Sequence, residues 1–144
     1  MSEEQIKSII RSFLQASAAR DVNKAASLLA DDAVMVSWGT TFKGKASIRK
    51  YLESMIANTI DNKITETGVG IVAQGDTAIV EHIIGGTVKG KKFNTPAVCI
   101  YEIRNNKIQM IRGFNDRLDM ARQATTGFTH WMVARMARAM ESGA

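Results

Sequence analysis

Between residues 65 and 116 apolar and polar positions alternate with a period of two, and short turn signals cut the alternation into segments. Gln74-Gly75-Asp76 and Lys89-Gly90-Lys91 carry a glycine that tolerates positive φ, and Arg104-Asn105-Asn106-Lys107 carries an asparagine pair that does so nearly as well. The segments between these turns, 77–88, 92–103 and 108–115, are rich in Ile, Val, Thr, Phe and Tyr and read as successive antiparallel strands. Alternation places Val80, His82 and Ile84 on one face, Ala97, Cys99 and Tyr101 on a face of the next strand, and Ile111, Gly113 and Asn115 on a face of the last. Whether the three sets share a side depends on register, because a slip of one residue inverts a strand.

Outside that stretch the period changes to that of a helix. Ser2-Glu3-Glu4-Gln5 has capping-box form, and Ile6, Ile9, Ile10, Phe13 and Leu14 follow at i, i+3, i+4, i+7 and i+8. Asp21 caps a second helix with Ala25, Ala26, Leu28 and Leu29 as its apolar positions, expected to run to Asp31-Asp32. Residues 33–38 read as a short strand, 39–44 as a loop, and 47–60 as a third helix with Ile48, Leu52, Met55 and Ile56 inward. Asp116 reads as a helix cap. Beyond it, Phe128, Met132, Met136 and Met140 recur every four residues with Trp131 and Val133 beside them, an amphipathic tail with a break at Gly127. Such a stripe suits docking on the protein's own core or on a twin subunit better than a membrane surface, so a homodimer or higher homo-oligomer is expected.

Composition narrows the classes of function. A chain of 144 residues, 45% hydrophobic with a single Pro, is large enough for one well-buried core. One Cys excludes an internal disulfide, no apolar run approaches the length of a membrane span, and the N-terminus lacks a signal-peptide pattern, so a cytoplasmic location is expected. The formal net charge of +5 is dispersed apart from Lys89 to Lys92 at a hairpin tip, which argues against a nucleic-acid or membrane partner. Two isolated histidines without HxH, HxxxH or CxxC spacing argue against a metal site.

The order of elements, with Leu28-Leu29-Ala30-Asp31-Asp32-Ala33, Phe42-Lys43-Gly44 before the third helix and Tyr101-Glu102-Ile103 before the asparagine turn, resembles the SnoaL-like, nuclear-transport-factor-like superfamily over residues 3 to about 120. The resemblance implies an α+β fold in which a curved antiparallel sheet wraps round N-terminal helices to form a cone with an internal pocket. The cone would occupy residues 1–117, and a helical extension, 118–144, would pack on it or on a partner subunit. The superfamily includes ketosteroid isomerases, limonene-epoxide hydrolases, scytalone dehydratases, polyketide cyclases and non-catalytic binding modules, so fold alone does not assign chemistry. The acids of the steroid isomerases do not carry over: Phe13, Ser37 and Cys99 stand at the matching positions. The Arg, Asp and Asp of the epoxide hydrolases are matched by His82, Ile84 and Gly113.

What remains is an apolar pocket for a small lipophilic molecule, with no cofactor expected. His82 and Tyr101 are the candidate catalytic pair, an imidazole that exchanges a proton near neutral pH and a hydroxyl that polarises a substrate oxygen in a dehydration, isomerisation or cyclisation. Phe13, Met35, Ser37, Trp38, Val80, Ile84, Cys99, Ile111 and Asn115 are the candidate ligand contacts. A non-catalytic ligand-binding or assembly module of the same fold is the alternative.

Overall fold

The computed structural model describes residues 1–142. Its elements run α1 (Glu3–Ala18), α2 (Val22–Ser27), β1 (Leu29–Ser37), β2 (Thr40–Lys43), α3 (Lys45–Asn58), β3 (Ile60–Gln74), β4 (Thr77–Val88), β5 (Lys91–Arg104), β6 (Lys107–Asn115), α4 (Arg117–Ala124) and α5 (Gly127–Glu141). The six strands form one curved sheet in the order β2-β1-β6-β5-β4-β3, giving the expected α+β cone. Every pair is antiparallel except β1 with β6, which run parallel.

The turns fix the register. Lys89-Gly90 and Asn105-Asn106 both have positive φ at the two central positions, the condition for the two-residue hairpin turn whose twist matches its strands. Consequently Val80 pairs with Cys99 and His82 with Ala97 across β4–β5, while Cys99 pairs with Gly113 and Ala97 with Asn115 across β5–β6. All three alternating sets therefore lie on the concave face. The curvature comes from β3, where the pairing jumps from Glu66↔His82 to Ile71↔Val80. The surplus residues on β3 form a bulge with Gly68 and Gly70 at positive φ, and such an insertion bends and twists its strand. Arg11 of α1 holds Glu66 beside the bend through bonds of 3.1 and 3.4 Å, so the sheet closes over the helix.

The capping box at Ser2 forms, and Ile6, Ile10, Phe13 and Leu14 of α1 are buried against Leu29, Ile103 and Ile108 of the sheet. Other boundaries differ from expectation. α2 stops at Ser27 because Leu29 joins β1 and the Ile108 amide donates to the Leu28 carbonyl at 2.9 Å; Asp31 and Asp32 are strand residues. An apolar Leu-Leu suits either element, so helical spacing did not separate them. Residues 39–44 contain β2, since Trp38 and Gly39 both have positive φ and make a tight hairpin. Tryptophan is an unusual occupant of that turn, which hid it. α3 begins and ends two residues early, and β3 starts at Ile60.

Asp116 caps α4 by accepting from the Asp119 amide at 2.9 Å. Beyond the Ala97↔Asn115 pair β5 has no strand on its β6 side, which is where Pro96 is tolerated. There the Gln123 side chain of α4 imitates a strand, accepting from the Asn94 amide at 2.8 Å and donating to its carbonyl at 3.0 Å. α5 exposes Phe128, Trp131, Met132, Met136 and Met140 and buries Ala137. The last residues of the expected extension, Gly143 and Ala144, lie outside the described residues. No helix among the described residues is long and apolar enough to cross a membrane.

Replacing Gln123 by Ala removes both bonds to Asn94. Hydrogen exchange at the Asn94 amide is expected to accelerate and chemical denaturation to show a loss of about 1 kcal/mol, the net worth of such bonds; unchanged exchange would show that Gln123 does not hold α4 to β5.

Candidate functional site

Between the concave face of the sheet, α1 and α3 lies a cavity of about 400 Å³. α1 contributes Phe13, Leu14 and Ser17, α3 contributes Tyr51, Leu52 and Met55, and Met120 of α4 closes one side. The sheet supplies Met35 and Ser37 from β1, His82 and Ile84 from β4, Thr95, Ala97, Cys99 and Tyr101 from β5, and Gly113 and Asn115 from β6. No Asp or Glu is among the lining residues, and Lys63 is the one lysine or arginine.

Nine of the eleven residues singled out in the sequence thus meet around one space: His82, Tyr101, Phe13, Met35, Ser37, Trp38, Ile84, Cys99 and Asn115. Val80 and Ile111 do not reach it. They share the concave face but are fully packed beneath α1, at 0% and 2% exposure, because alternation specifies a side of the sheet and not a depth in the cone. Tyr51, Thr95 and Met120 are among the lining residues that escaped the sequence reading. Tyr51 completes the i, i+3, i+4 stripe with Ile48 and Leu52; Thr95 continues the alternation of Ala97 and Cys99 one step back; Met120 is brought in by α4.

His82 is 2% exposed, and its Nδ1 has no hydrogen-bond partner among the described residues. Burial holds the imidazole below its ordinary value of 6.5 by disfavouring the cation, offset in part by the Val80 backbone and the Glu66 carboxylate. Glu66 is the cross-strand neighbour of His82, but its carboxylate is engaged by Arg11. Tyr101, 1% exposed, packs edge-on against Phe13 with ring centroids 6.2 Å apart. Burial raises its hydroxyl well above 10, with the neighbouring Cys99 adding to the effect, so it is a neutral hydrogen-bonding group at physiological pH. Burial likewise pushes the Cys99 thiol up to about 11, which leaves it without nucleophilic thiolate near neutrality.

The rim is braced by polar contacts. Trp38 donates from Nε1 to Asn115 Oδ1 at 2.6 Å, and the Arg117 guanidinium lies 5.2 Å from the Trp38 ring centroid while donating to its carbonyl at 3.1 Å. Next to Trp38 in the chain, Ser37 shares a hydrogen bond of 3.1 Å with Tyr51, which stacks at a tilt on Phe42. No cluster of three or more His, Cys, Asp or Glu side chains that would hold a metal is found among the described residues. The arrangement offers shape, apolar contact and neutral hydrogen bonding.

Because the folded state binds the His82 proton less readily than the unfolded chain, stability due to this residue is complete above 6.5 and declines as pH falls from there toward the lowered folded-state value. Denaturation of the wild type and His82→Gln between pH 5 and 8 should therefore show a steeper acid-side loss in the wild type. Parallel profiles would contradict a buried neutral imidazole.

Several solved structures share the fold. A hypothetical protein with a ketosteroid isomerase-like fold from Catenulispora acidiphila, in complex with trimethylamine, is 22% identical with a TM-score of 0.74, covering 81% of this chain and 91% of its own. An LEH-like epoxide hydrolase of M. tuberculosis is 17% identical with a TM-score of 0.74, covering 98% of each chain. An NTF2-like protein from Burkholderia xenovorans is 24% identical with a TM-score of 0.70, covering 87% of this chain and 99% of its own. No curated protein matches the sequence. The model of the SnoaL-like domain matches residues 10–111, the span from α1 through most of the sheet, and the chain belongs to that family.

Proposed function

We propose that the protein binds a small, neutral, lipophilic molecule inside the cone. The observation that carries this reading is the lining itself: a cavity of about 400 Å³ walled by aliphatic and aromatic side chains, with no carboxylate and with a buried imidazole held neutral. Apolar area supplies the affinity in such a site and a few polar groups orient the ligand. A charged ligand would lose its hydration without gaining a counter-ion deep inside, which favours neutral occupants. The complex of the Catenulispora acidiphila protein with trimethylamine, an amine that carries a proton near neutral pH, supports a small organic ligand in this fold and not its neutrality.

The second reading adds chemistry at the same place. His82 is uncharged and unpaired at Nδ1, so it is free to take a proton, and Tyr101 keeps its hydroxyl proton to donate to a developing oxygen charge. That division suits proton abstraction beside a carbonyl, and with it isomerisation, dehydration or cyclisation without a cofactor. The paired-carboxylate route of an epoxide hydrolase finds no residues here, since Ile84 and Gly113 occupy the wall and no acid lines it.

Ala97 lies in the lining directly opposite His82, so a larger side chain there occupies ligand space. Titration calorimetry with small terpenoid and aromatic ketones should detect binding to the wild type, and Ala97→Leu should weaken it roughly tenfold or more while the circular dichroism spectrum is retained. Failure of every ketone to bind the folded wild type would sink the binding reading. If a bound ketone is converted by the wild type and equally fast by His82→Ala, the chemical reading is lost and binding alone stands.

A further inference from the structure

Two polar atoms in this apolar cavity have no protein partner: His82 Nδ1 and Thr95 Oγ1. Both residues are buried, at 2% and 0% exposure, and both belong to the wall around the cavity. Buried polar groups are almost always hydrogen-bonded, since an unmade bond costs the whole desolvation of the group. Two orphans in one small space therefore require a common explanation.

Register supplies it. His82 pairs with Ala97 and Ile84 with Thr95, so His82 and Thr95 are diagonal neighbours on the concave face of β4 and β5. Diagonal positions in an antiparallel pair stand about 7–8 Å apart and closer at the side-chain tips, and one oxygen making two hydrogen bonds bridges atoms up to about 6 Å apart. The small Ala97 beside them leaves the approach open, and the surrounding wall is apolar.

We propose that His82 and Thr95 form a polar end-site that holds one hydroxyl or carbonyl oxygen of an otherwise apolar ligand. This rests on the reading that the cavity takes a lipophilic molecule, and it specifies what that molecule carries and which end enters first. The chemistry limits the oxygen to a neutral one. Threonine both donates and accepts, and a neutral imidazole offers a donor or an acceptor at Nδ1 according to its tautomer, so a hydroxyl satisfies either form and a carbonyl satisfies the donor form. A carboxylate would need a cation: the Arg11 guanidinium is spent on Glu66, and the one lysine of the lining, Lys63, stands on β3, two strands away from Thr95 on β5.

Indane, 1-indanol and 1-indanone have nearly the same shape and differ in the oxygen alone, so their affinities for the full chain read the end-site directly. The wild type is expected to bind at least one of the two oxygenated probes about tenfold more tightly than indane, as one added hydrogen bond to a buried orphan group would give. Thr95→Val, equal in size but without the hydroxyl, should reduce that preference to about twofold or less with indane affinity retained, and its ligand-free thermal midpoint should not fall, because no protein bond is lost. Thr95→Ser should keep the preference. Equal affinity of the wild type for all three probes, a preference that survives Thr95→Val, or a clear loss of ligand-free stability in Thr95→Val would each overturn the end-site while leaving the cavity reading intact. Absence of binding by any probe would overturn the cavity reading and the end-site together.

Discussion

Register between β4, β5 and β6 is the constraint on which the cavity depends. Two-residue turns at Lys89-Gly90 and Asn105-Asn106 leave no slack, so His82, Ala97, Cys99 and Asn115 are delivered to the same concave face. A slip of one residue would turn His82, Thr95 and Tyr101 outward and place Glu81 and Glu102 in the cone. The bulge in β3 then converts a flat inner face into a wall around a volume, and α1 fills the narrow end where Val80 and Ile111 lie. Shape at the wide end is left to α3, α4 and the braced Trp38.

The electrostatic character of the cavity follows from the same geometry. Ionised groups along β4, β5 and β6 alternate with the inner set and so face solvent, where Glu102 pairs with Arg112 at 2.9 Å. Inside, desolvation favours the neutral form of four buried groups: it keeps His82 unprotonated and keeps Tyr51, Cys99 and Tyr101 protonated. Lys63 is thus the one charged side chain among the lining residues. Family membership is compatible with several chemistries, and what this chain brings to the fold is an interior whose lining residues include no Asp or Glu.

Much of this was legible in the residues. Period-two alternation with glycine and asparagine turns specified three strands of the sheet, and the capping box with its i, i+3, i+4 stripe specified α1. Local signals failed where tertiary contacts decide. Leu29 satisfies a helix as well as a strand until β6 claims its backbone, and β2 depends on a tryptophan accepting positive φ. In the site, alternation found the face but not the depth, which is why Val80 and Ile111 were included, and Thr95 was passed over although it follows the same period. That Thr95 and His82 lack partners is a property of the packed interior, with no counterpart in the sequence.

The central claim is that His82 faces a ligand-accommodating interior as a neutral group. The most direct measurement is nitrogen and carbon NMR of the two imidazoles during titration with 1-indanone, with His130, which is outside the cavity lining, as internal reference. The account predicts that His82 resonances keep the neutral form at pH 7, move on addition of ligand and show contacts to its protons, while those of His130 stay in place. A ligand that binds elsewhere, leaving His82 unmoved, or a His82 ring already protonated at pH 7, would contradict it.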